Sequence, residues 1–288
     1  MSRIAYVNGQ YVPFHDATVH VEDRGYQLAD GVYEVIAVRG SLPIDLAPHL
    51  QRLDQSLAAL RLEWPIGERA LRTVLRTVVE RSRLKEGILY VQVSRGVTRR
   101  EHAFPEVSVR PALVITARPQ ALAPETLFET GVRVITTTDL RWKRCDVKSV
   151  MLLPNVLGKQ MAREKGAFEA WLVAEDGTVT EGTSSNAWIV TGRSQVVTQP
   201  LSPAILGGIT RKRVVDLAGQ LGLKVIERPF AVEEARRAAE AFLTSTTTFV
   251  LPVVTLDGRR ISNGKPGTVT RRLRAVYLAA LASGAAGW

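Results

Sequence analysis

The amino-acid sequence predicts an α+β fold arranged as two domains. Short runs in which apolar and polar residues alternate, typical of strands, lie between segments in which apolar residues recur every three or four positions, typical of helices. The stretch 118–125 contains two prolines and interrupts this pattern. We therefore predict a small N-terminal α+β domain over residues 1–117, an interdomain linker over 118–125, and a larger mixed α/β domain over 126–288.

The N-terminal domain begins with a hairpin signal. Alternating apolar residues over 4–12 surround Asn8-Gly9, a pair that tolerates positive φ and therefore favours a tight turn. The further predicted elements of this domain, all assigned from periodicity, are a strand at 31–40, helices at 46–60 and 68–83, and strands at 88–95 and 112–117.

The C-terminal domain shows shorter and more varied elements. Its predicted strands lie at 132–138, 169–174, 185–191, near Val225, at 241–244 and near Val253. Its predicted helices lie at 154–165, 210–221 and about 268–282. Asp257-Gly258 and Asn263-Gly264 predict turns at the two ends of a short hairpin strand.

Composition restricts the class of protein. The formal net charge of +10 makes a non-enzymatic nucleic-acid-binding protein one alternative, but the basic residues are mostly arginines scattered over the predicted helices. Cys145 is the single cysteine and the four histidines lack ligand spacing, so we expect no disulfide framework and no metal site. No apolar run reaches the roughly 20 residues that span a bilayer, and no signal peptide precedes the first strand. We expect a cytoplasmic protein that does not bind membranes or nucleic acid.

Lys148 is the first candidate catalytic residue. It ends the run 141–148, whose strand-like alternation would place Trp142, Arg144, Asp146 and Lys148 on one face. Cationic neighbours and partial burial lower the pKa of an amine and make it a better nucleophile toward an aldehyde. The alternative is a surface lysine on a basic strand edge.

Glu181 is the second candidate. It leads the polar turn Glu181-Gly-Thr-Ser-Ser-Asn186, in which Gly182 lets the backbone approach another group closely. A buried carboxylate in this turn could keep a pyridine nitrogen protonated. With a lysine that forms a Schiff base, this is what a pyridoxal phosphate enzyme requires of its protein. The alternative is an exposed acid in an ordinary hairpin turn.

Two loops further along the chain could bind a phosphate. The segment 206–210 precedes a helix that Thr210 begins, so unpaired backbone N–H groups and the helix dipole would face this loop. Thr244-Ser-Thr-Thr-Thr248 follows a predicted strand and supplies hydroxyl donors. Alternatively, the first of these segments is only a loop and a helix cap.

Together these motifs resemble those of class IV pyridoxal-phosphate aminotransferases, and within that class the D-amino-acid transaminases. The resemblance extends over about residues 4–275. The matching segments are Glu22-Asp-Arg-Gly-Tyr-Gln, Asp30-Gly-Val-Tyr-Glu34, His49-Leu-Gln-Arg52-Leu, Arg141-Trp-x-Arg-Cys-Asp-x-Lys148-Ser, Glu181-Gly-x-Ser-Ser-Asn186, Gly208-Ile-Thr-Arg211 and Thr244-Ser-Thr-Thr247. The resemblance implies fold type IV, with a pseudo-barrel C-terminal domain, pyridoxal 5'-phosphate as cofactor and a homodimer.

The resemblance also assigns roles to individual residues. It implies that Lys148 is the Schiff-base lysine and proton shuttle, and that Glu181 contacts the pyridine nitrogen. The remaining cofactor contacts that it implies, those to the phosphate included, are Arg52, Ser184, Ser185, Leu206, Ile209, Thr210, Ser245 and Thr246.

The segment 94–104 carries the expected substrate specificity. Arg100 and His102 resemble an Arg-x-His pair that, with the tyrosine matching Tyr33, traps the substrate α-carboxylate in D-amino-acid transaminases. A guanidinium, an imidazole and a phenol can make several charge-assisted bonds to one carboxylate. Fixing the carboxylate decides which Cα–H lies over Lys148 and hence which enantiomer reacts. In the implied homodimer, Arg100 and His102 could reach the neighbouring subunit's site.

Two residues depart from the family pattern. Glu101 places a negative charge between Arg100 and His102, although alternation along an extended loop would turn it away from a bound carboxylate. Met151 replaces an expected polar residue shortly after Lys148 and could alter side-chain preference. Neither change affects the expected cofactor chemistry.

The resemblance implies transamination between a D-amino acid and a 2-oxo acid by a ping-pong mechanism. The expected amino donors are D-alanine and D-glutamate, and the expected acceptors are 2-oxoglutarate and pyruvate. A branched-chain L-amino-acid aminotransferase or an (R)-amine transaminase would share Lys148 and Glu181 but would not use the pair Arg100 and His102. An aminodeoxychorismate lyase would keep the cofactor and release pyruvate without an oxo-acid acceptor.

Overall fold

The computed structural model describes residues 3–122, 124–192, 195–283 and 288. The chain divides into two compact units. Unit 1 contains Met1–Leu122 and Val147–Met151, and unit 2 contains Ala123–Asp146 and Leu152–Ala285. The segment around Lys148 thus belongs to unit 1, although it lies within the range predicted for the C-terminal domain.

Unit 1 is built on an antiparallel sheet. Its strands are β1 (Ile4–Val7), β2 (Gln10–Pro13), β3 (Gly31–Arg39), β4 (Leu42–Pro43), β5 (Glu86–Ser94) and β6 (Ala112–Pro119). They lie in the order β2-β1-β6-β5-β3-β4. The helices of the unit are α1 (Arg24–Leu28), α2 (Leu46–Ala59) and α3 (Glu68–Arg81), and a short 3-10 helix covers Phe14–Asp16. Helix α2 packs on β3, and α3 packs on β1 and β6.

The local sequence explains these elements. Asn8 and Gly9 take positive φ values of 48° and 103° and form the predicted turn between β1 and β2. Helix α2 buries Leu46, Leu50, Leu53 and Leu57, which are spaced three or four residues apart and therefore share one face. The strands and helices predicted for this half of the chain are all present, with ends shifted by one or two residues.

Unit 2 contains a mixed sheet. Its strands are β7 (Val132–Thr138), β8 (Glu169–Val173), β9 (Val179–Gly182), β10 (Asn186–Val190), β11 (Val196–Thr198), β12 (Val225–Glu227), β13 (Glu240–Ser245), β14 (Phe249–Leu256) and β15 (Arg259–Arg260). The order is β12-β11-β10-β13-β14-β7-β8-β9, and β15 pairs with β14. The helices are α4 (Glu125–Thr130), α5 (Leu153–Glu164), α6 (Ile209–Gln220), α7 (Val232–Arg236) and α8 (Thr268–Ser283).

Parallel and antiparallel pairs coexist in this sheet. Strand β7 is parallel to both β8 and β14, whereas β13 is antiparallel to both β10 and β14. Strands with both faces covered are apolar without alternation, and β14 shows this as an almost wholly buried run. The core beneath contains Trp171, Phe230 and Leu243. The α+β class predicted from the sequence is confirmed.

The prediction of a strand over 141–148 is wrong, because this segment forms turns and bends. The guanidinium of Arg141 folds back on Asp139, with Nε 2.9 Å from Oδ1. The N–H of Cys145 donates to the Pro203 carbonyl at 2.7 Å and does not join a strand ladder. Local side-chain contacts of this kind compete with sheet formation.

Short elements were not predicted. Helices α1, α4 and α7 have five or six residues each, too few for a periodic apolar pattern to be recognised. The predicted linker 118–125 overlaps the end of β6 and the start of α4. Within the described residues, no helix combines the length and the apolar character needed to cross a membrane.

Gly87 in β5 provides a test of the unit 1 sheet. Its φ is +153°, and a Cβ at this position would overlap the backbone carbonyl oxygen of Arg118 on the neighbouring strand. We expect Gly87→Ala to reduce the free energy of unfolding by about 1–3 kcal/mol, measured by urea denaturation. Gly219→Ala in α6 is the control, because its Cβ would meet no atom within 4 Å. It should leave stability unchanged or slightly raised. A fully stable Gly87→Ala variant would contradict the described packing.

Candidate active site

Lys148 is attached to the central strands of unit 1 through its backbone. The Lys148 carbonyl accepts from the Tyr33 N–H at 2.9 Å, and Ser149 forms an isolated antiparallel bridge with Val32. The Lys148 N–H donates to the hydroxyl of Ser56 on α2 at 3.2 Å. These contacts extend the edge of β3 by one short segment and so define where the half-buried lysine side chain begins.

The amine of Lys148 is not paired with an acid in the part of the chain that the structure describes. Its Nζ lies 4.2 Å from the ring centroid of Tyr33, which in turn stacks on Tyr90 at 5.5 Å. Burial, with a smaller contribution from Tyr33, raises the pKa of Tyr90 to about 12, so this phenol stays neutral. The structure therefore brings together two predicted residues, Lys148 and Tyr33.

Arg52 lies in a buried charge cluster on the same helix as Ser56. Its Nε and Nη2 donate to the two carboxylate oxygens of Glu34 at 2.7 and 2.8 Å, and His49 Nδ1 lies 2.8 Å from the same carboxylate. Burial opposes ionisation of Glu34, but the charge and hydrogen bonds of Arg52, helped by His49, outweigh it and lower the pKa of Glu34. Burial also lowers the pKa of His49, although Glu34 opposes this. The cluster fixes the direction of the Arg52 guanidinium.

Arg100 and His102 lie in an irregular loop between β5 and β6, and both are exposed. Neither side chain makes a hydrogen bond, ion pair or ring contact with the residues described, so no such contact joins them to Tyr33 or Lys148. The carboxylate of Glu101 accepts the His102 N–H at 2.8 Å. The negative charge of Glu101, which departs from the family pattern, is therefore hydrogen-bonded to the loop backbone.

Glu181 is buried in unit 2, with 6% of its surface exposed, so the alternative of an exposed turn acid is wrong. Asn186 Nδ2 donates to one of its oxygens at 3.0 Å, and the Leu206 N–H lies 3.2 Å from both. The guanidinium of Arg141 donates to the same carboxylate. A buried carboxylate with these donors is a fixed anionic acceptor.

Arg141 and Asp139 form the second layer around this acid. Arg141 Nη2 lies 2.7 Å from Asp139 Oδ2, and the Thr180 hydroxyl donates to the same oxygen at 2.7 Å. Burial opposes ionisation of Asp139, but the hydrogen bonds and charge of Arg141, with Thr180, lower its pKa. Arg141 therefore connects the half-buried carboxylate of Asp139 to the buried carboxylate of Glu181 and orients the latter.

Asn186 joins the phosphate-loop candidates of unit 2 to Glu181. Its Nδ2 also donates to the Leu206 carbonyl at 3.0 Å, and it pairs with Thr244 at the end of β13. Gly208 lies against its side chain so closely that a Cβ would overlap Asn186 Oδ1. The Glu181 turn, the start of the 206–210 loop and the strand end before Ser245 therefore meet around one amide.

The phosphate-loop candidates offer donors. Helix α6 begins at Ile209 after Gly208, one residue before the predicted start at Thr210, and the N–H groups of its first turn have no intrahelical partner. Thr210 is buried and Thr246 is half-buried, and neither side chain hydrogen-bonds to the residues that the structure describes. The Ser245 hydroxyl instead lies 2.8 Å from that of Thr248 and shapes the turn.

Ser184 and Ser185 direct their hydroxyls to a different group. Ser184 Oγ donates to Glu169 Oε2 at 3.0 Å and Ser185 Oγ donates to it at 3.1 Å, while Thr183 donates to Oε1. Glu169 is 1% exposed. It therefore holds the turn that follows Glu181.

Sequence reasoning did not assign a role to the residues that orient the site. These residues are Glu34, Asp139, Arg141, Glu169 and Asn186. Glu34, Arg141 and Asn186 stand inside the quoted motifs, so their presence there was a usable signal. Glu169 begins a predicted strand and Asp139 follows one, and both lie outside the quoted motifs. The hydroxyls that bind Glu169 stand 14–16 residues further along the chain, so no local pattern marks it.

The residues present fit pyridoxal phosphate, as judged from each unit separately. Unit 1 offers a half-buried amine without an acid partner among the described residues. Unit 2 offers a buried, oriented carboxylate and a helix N-terminus whose first-turn N–H groups can bind an anion. These are the groups that the aldehyde, the pyridine nitrogen and the phosphate of this cofactor require.

Arg141 provides a test of the Glu181 environment. Replacing it with Met would leave the buried Glu181 and the half-buried Asp139 without their cation, so we expect a loss of about 3 kcal/mol in the free energy of unfolding at pH 7. Because Asp139 has a lowered pKa in the folded state, its contribution is complete above the unfolded carboxyl pKa of about 4 and is lost as the pH falls through the folded value. The difference between wild type and Arg141→Met should therefore shrink below about pH 4.

Arg144→Met is the matched control in the same segment. Arg144 pairs with Asp146 at the surface, where an ion pair contributes little. Urea denaturation of both variants across pH 3–8 provides the measurement. Equal stability of the two variants at pH 7 would contradict the role of Arg141.

Comparison with known proteins identifies the family. The family model described as amino-transferase class IV matches residues 31–256. A D-alanine aminotransferase of Bacillus licheniformis is 39% identical over 267 residues, covering 93% of this chain and 93% of that protein. A D-alanine aminotransferase of Staphylococcus aureus (strain MSSA476) is 36% identical over 269 residues, covering 93% and 94%.

Solved structures agree in fold. A T.th. branched-chain amino acid aminotransferase with pyridoxamine 5'-phosphate is 27% identical, with a TM-score of 0.90 over 98% of this chain and 94% of that one. The Escherichia coli branched-chain amino acid aminotransferase is 23% identical, with a TM-score of 0.89 over 97% and 94%. Fold type IV, aminotransferase activity and a pyridoxal phosphate cofactor are thereby confirmed. The chain belongs to the class IV aminotransferases.

Proposed function

We propose that this aminotransferase moves the amino group of a D-amino acid to a 2-oxo acid by a ping-pong mechanism. D-Alanine and D-glutamate are the proposed donors, and pyruvate and 2-oxoglutarate are the proposed acceptors. The observation that carries the proposal is the exposed pair Arg100 and His102, whose side chains keep their donors available on an anchored loop. The relatives named D-alanine aminotransferase, at 35–39% identity, support it.

Lys148 is the proposed catalytic residue. Bound pyridoxal phosphate supplies an aldehyde and an electron-withdrawing ring. The Lys148 amine would hold this aldehyde, give it up to the substrate amine, and then move the proton between the substrate Cα and the cofactor C4′. Its position beside the Tyr33 ring supports this role, because no carboxylate among the described residues competes with an aldehyde for the amine.

Glu181 would keep the pyridine nitrogen protonated, since Asn186 and Arg141 already fix its carboxylate. The Leu206 N–H contributes to the same orientation. The Ile209 and Thr210 N–H groups and the Thr246 hydroxyl would bind the phosphate, as in other helix N-terminal anion sites.

The remaining predicted cofactor contacts remain part of the proposal. Arg52, whose guanidinium is oriented by Glu34, would bind the phosphate. The Ser184 and Ser185 hydroxyls are engaged by Glu169, so we propose that they shape the turn after Glu181. Ser245 would act in the same way on the turn that carries Thr246.

The visible spectrum tests the proposal. We expect the purified protein with pyridoxal phosphate to show a visible band from the lysine-bound cofactor, and D-alanine but not L-leucine to remove it. Loss of the band with L-leucine alone would favour a branched-chain L-amino-acid aminotransferase instead. Absence of the band after pyridoxal phosphate is added would overturn the assignment of Lys148. Lys148→Ala should lack the band, whereas Lys143→Ala, an exposed lysine of the same segment, should keep it.

A homodimer is the proposed assembly. Helix α5 exposes large apolar side chains on its outer face, with Leu153 67%, Val156 57%, Leu157 58% and Met161 39% exposed. A contiguous apolar surface of this kind is more often part of a protein interface than left exposed to solvent. We propose that a second copy of the chain covers this face.

We also propose a cytoplasmic location, which a single cysteine supports.

Leu157→Lys tests the assembly. A charge in the centre of an apolar interface would be buried without a partner, so we expect dimer mass for wild type and monomer mass for the variant. The measurement is light scattering coupled to gel filtration at micromolar concentration. Gln220→Lys adds the same charge at an exposed position of α6 and should leave the mass unchanged. A monomeric wild type would contradict the proposal.

A further inference from the structure

The loop between β5 and β6 carries Arg100 and His102 without secondary structure of its own. It runs from the end of β5 at Ser94 to the start of β6 at Ala112. A loop of this length holds a defined position only when other groups fix its backbone. The motif Glu22-Asp-Arg-Gly-Tyr-Gln lies against this loop, and the proposed chemistry leaves it without a role.

Arg24, the first residue of α1, holds the loop at two points. Its backbone N–H donates to the Gly96 carbonyl at 3.0 Å. Its side chain is buried, and the guanidinium donates to the carbonyl oxygens of Glu101 and, at 3.4 Å, His102. These two residues directly follow Arg100. The buried fork of Arg24 therefore sets the backbone from which both proposed carboxylate-binding side chains project.

Asp30 orients this guanidinium. Its Oδ2 accepts from Arg24 Nε at 2.8 Å and from Arg95 Nε at 2.7 Å, and its Oδ1 accepts from Arg95 Nη2 at 3.0 Å. Burial opposes ionisation of Asp30, but Arg95 and Arg24 lower its pKa. Asp30 neutralises only one of the two guanidinium charges, so the cluster keeps a net positive charge. The remaining N–H groups of Arg24 donate to the loop carbonyls.

The same cluster fixes the rest of the loop. The Arg95 guanidinium lies 3.7 Å from the ring centroid of Phe104, which belongs to the loop. At the base, Gly96 has a φ of +98°, and a Cβ there would overlap the carbonyl oxygen of Arg110. The loop is thus closed at its base, and Arg24 and Arg95 hold its middle.

We propose that Arg24 is a positioning residue for substrate recognition: by holding the Glu101 and His102 carbonyls it presents Arg100 and His102 to the substrate carboxylate. This inference rests on the proposed function, in which these two side chains bind that carboxylate. Arg24 itself does not touch the substrate. A lysine cannot replace it, because one ammonium does not reproduce a fork that contacts Asp30 and two carbonyls together.

A double-mutant cycle between Arg24 and Arg100 tests the proposal. We expect Arg24→Lys and Arg24→Met to raise KM for D-alanine and for 2-oxoglutarate about tenfold, with a smaller change in kcat and an unchanged visible spectrum of the bound cofactor. Arg100→Ala should raise KM as well. Adding Arg24→Met to Arg100→Ala should then raise KM by clearly less than the product of the two single effects, because one of the two side chains that Arg24 positions is already absent.

Limited trypsin digestion reports on the loop without requiring activity. Arg99 and Arg100 are exposed cleavage sites, and we expect the Arg24 variants to be cut there faster than wild type, as identified by fragment mass. Arg72→Met is the control, because Arg72 pairs with Glu68 on the surface of α3, away from this cluster in sequence. It should change neither KM nor the cleavage rate in the loop.

The possible outcomes separate the two proposals. Unchanged KM in both Arg24 variants, or effects of Arg24 and Arg100 that multiply fully, would overturn the positioning role while leaving D-amino-acid transamination intact. An Arg100→Ala enzyme with wild-type KM for D-alanine would overturn carboxylate binding by this loop, and the role of Arg24 with it. A wild-type enzyme that transaminates only L-amino acids would overturn the proposed function itself.

Discussion

Arginine–carboxylate pairs with little solvent exposure hold the segments on which the candidate site depends. An ion buried without a partner is strongly destabilising, so each pair permits few arrangements of the backbone that carries it. Glu34 with Arg52 joins β3 to α2, and Asp139 with Arg141 sets the carboxylate of Glu181. The same constraint acts through the planar fork of arginine, which fixes direction as well as distance.

These pairs act on backbone that is already ordered. In unit 1 the alternation of β3 places Tyr33 and Glu34 on opposite faces, so one residue meets Lys148 and the other meets Arg52. In unit 2 the Asn186 amide contacts a carboxylate and a carbonyl at once. Strand pairing makes the backbone rigid, and hydrogen bonds between a few polar side chains set the orientation of each functional group.

Relatives that share this fold carry names that differ in substrate class. Branched-chain amino acid aminotransferases share the fold at a TM-score of 0.90, whereas the relatives at 36–39% identity are D-alanine aminotransferases. Core strands and the Lys148 and Glu181 motifs are compatible with either substrate class. The loop between β5 and β6 carries the proposed carboxylate-binding pair, so we expect changes there to alter specificity while the fold is retained.

The sequence by itself determined the long elements and the chemistry of the site. Apolar periodicity sufficed for α2, α3 and β3, and the motifs around Lys148 and Glu181 sufficed for the cofactor, because these signals are local. Only the tertiary structure decided that the segment 141–148 turns, that the Ser184 and Ser185 hydroxyls bind Glu169, and that Arg24 holds a loop more than 70 residues away. Such contacts join residues distant in sequence. Which charged residues pair with one another produces no periodic pattern in the sequence, so it could not be predicted.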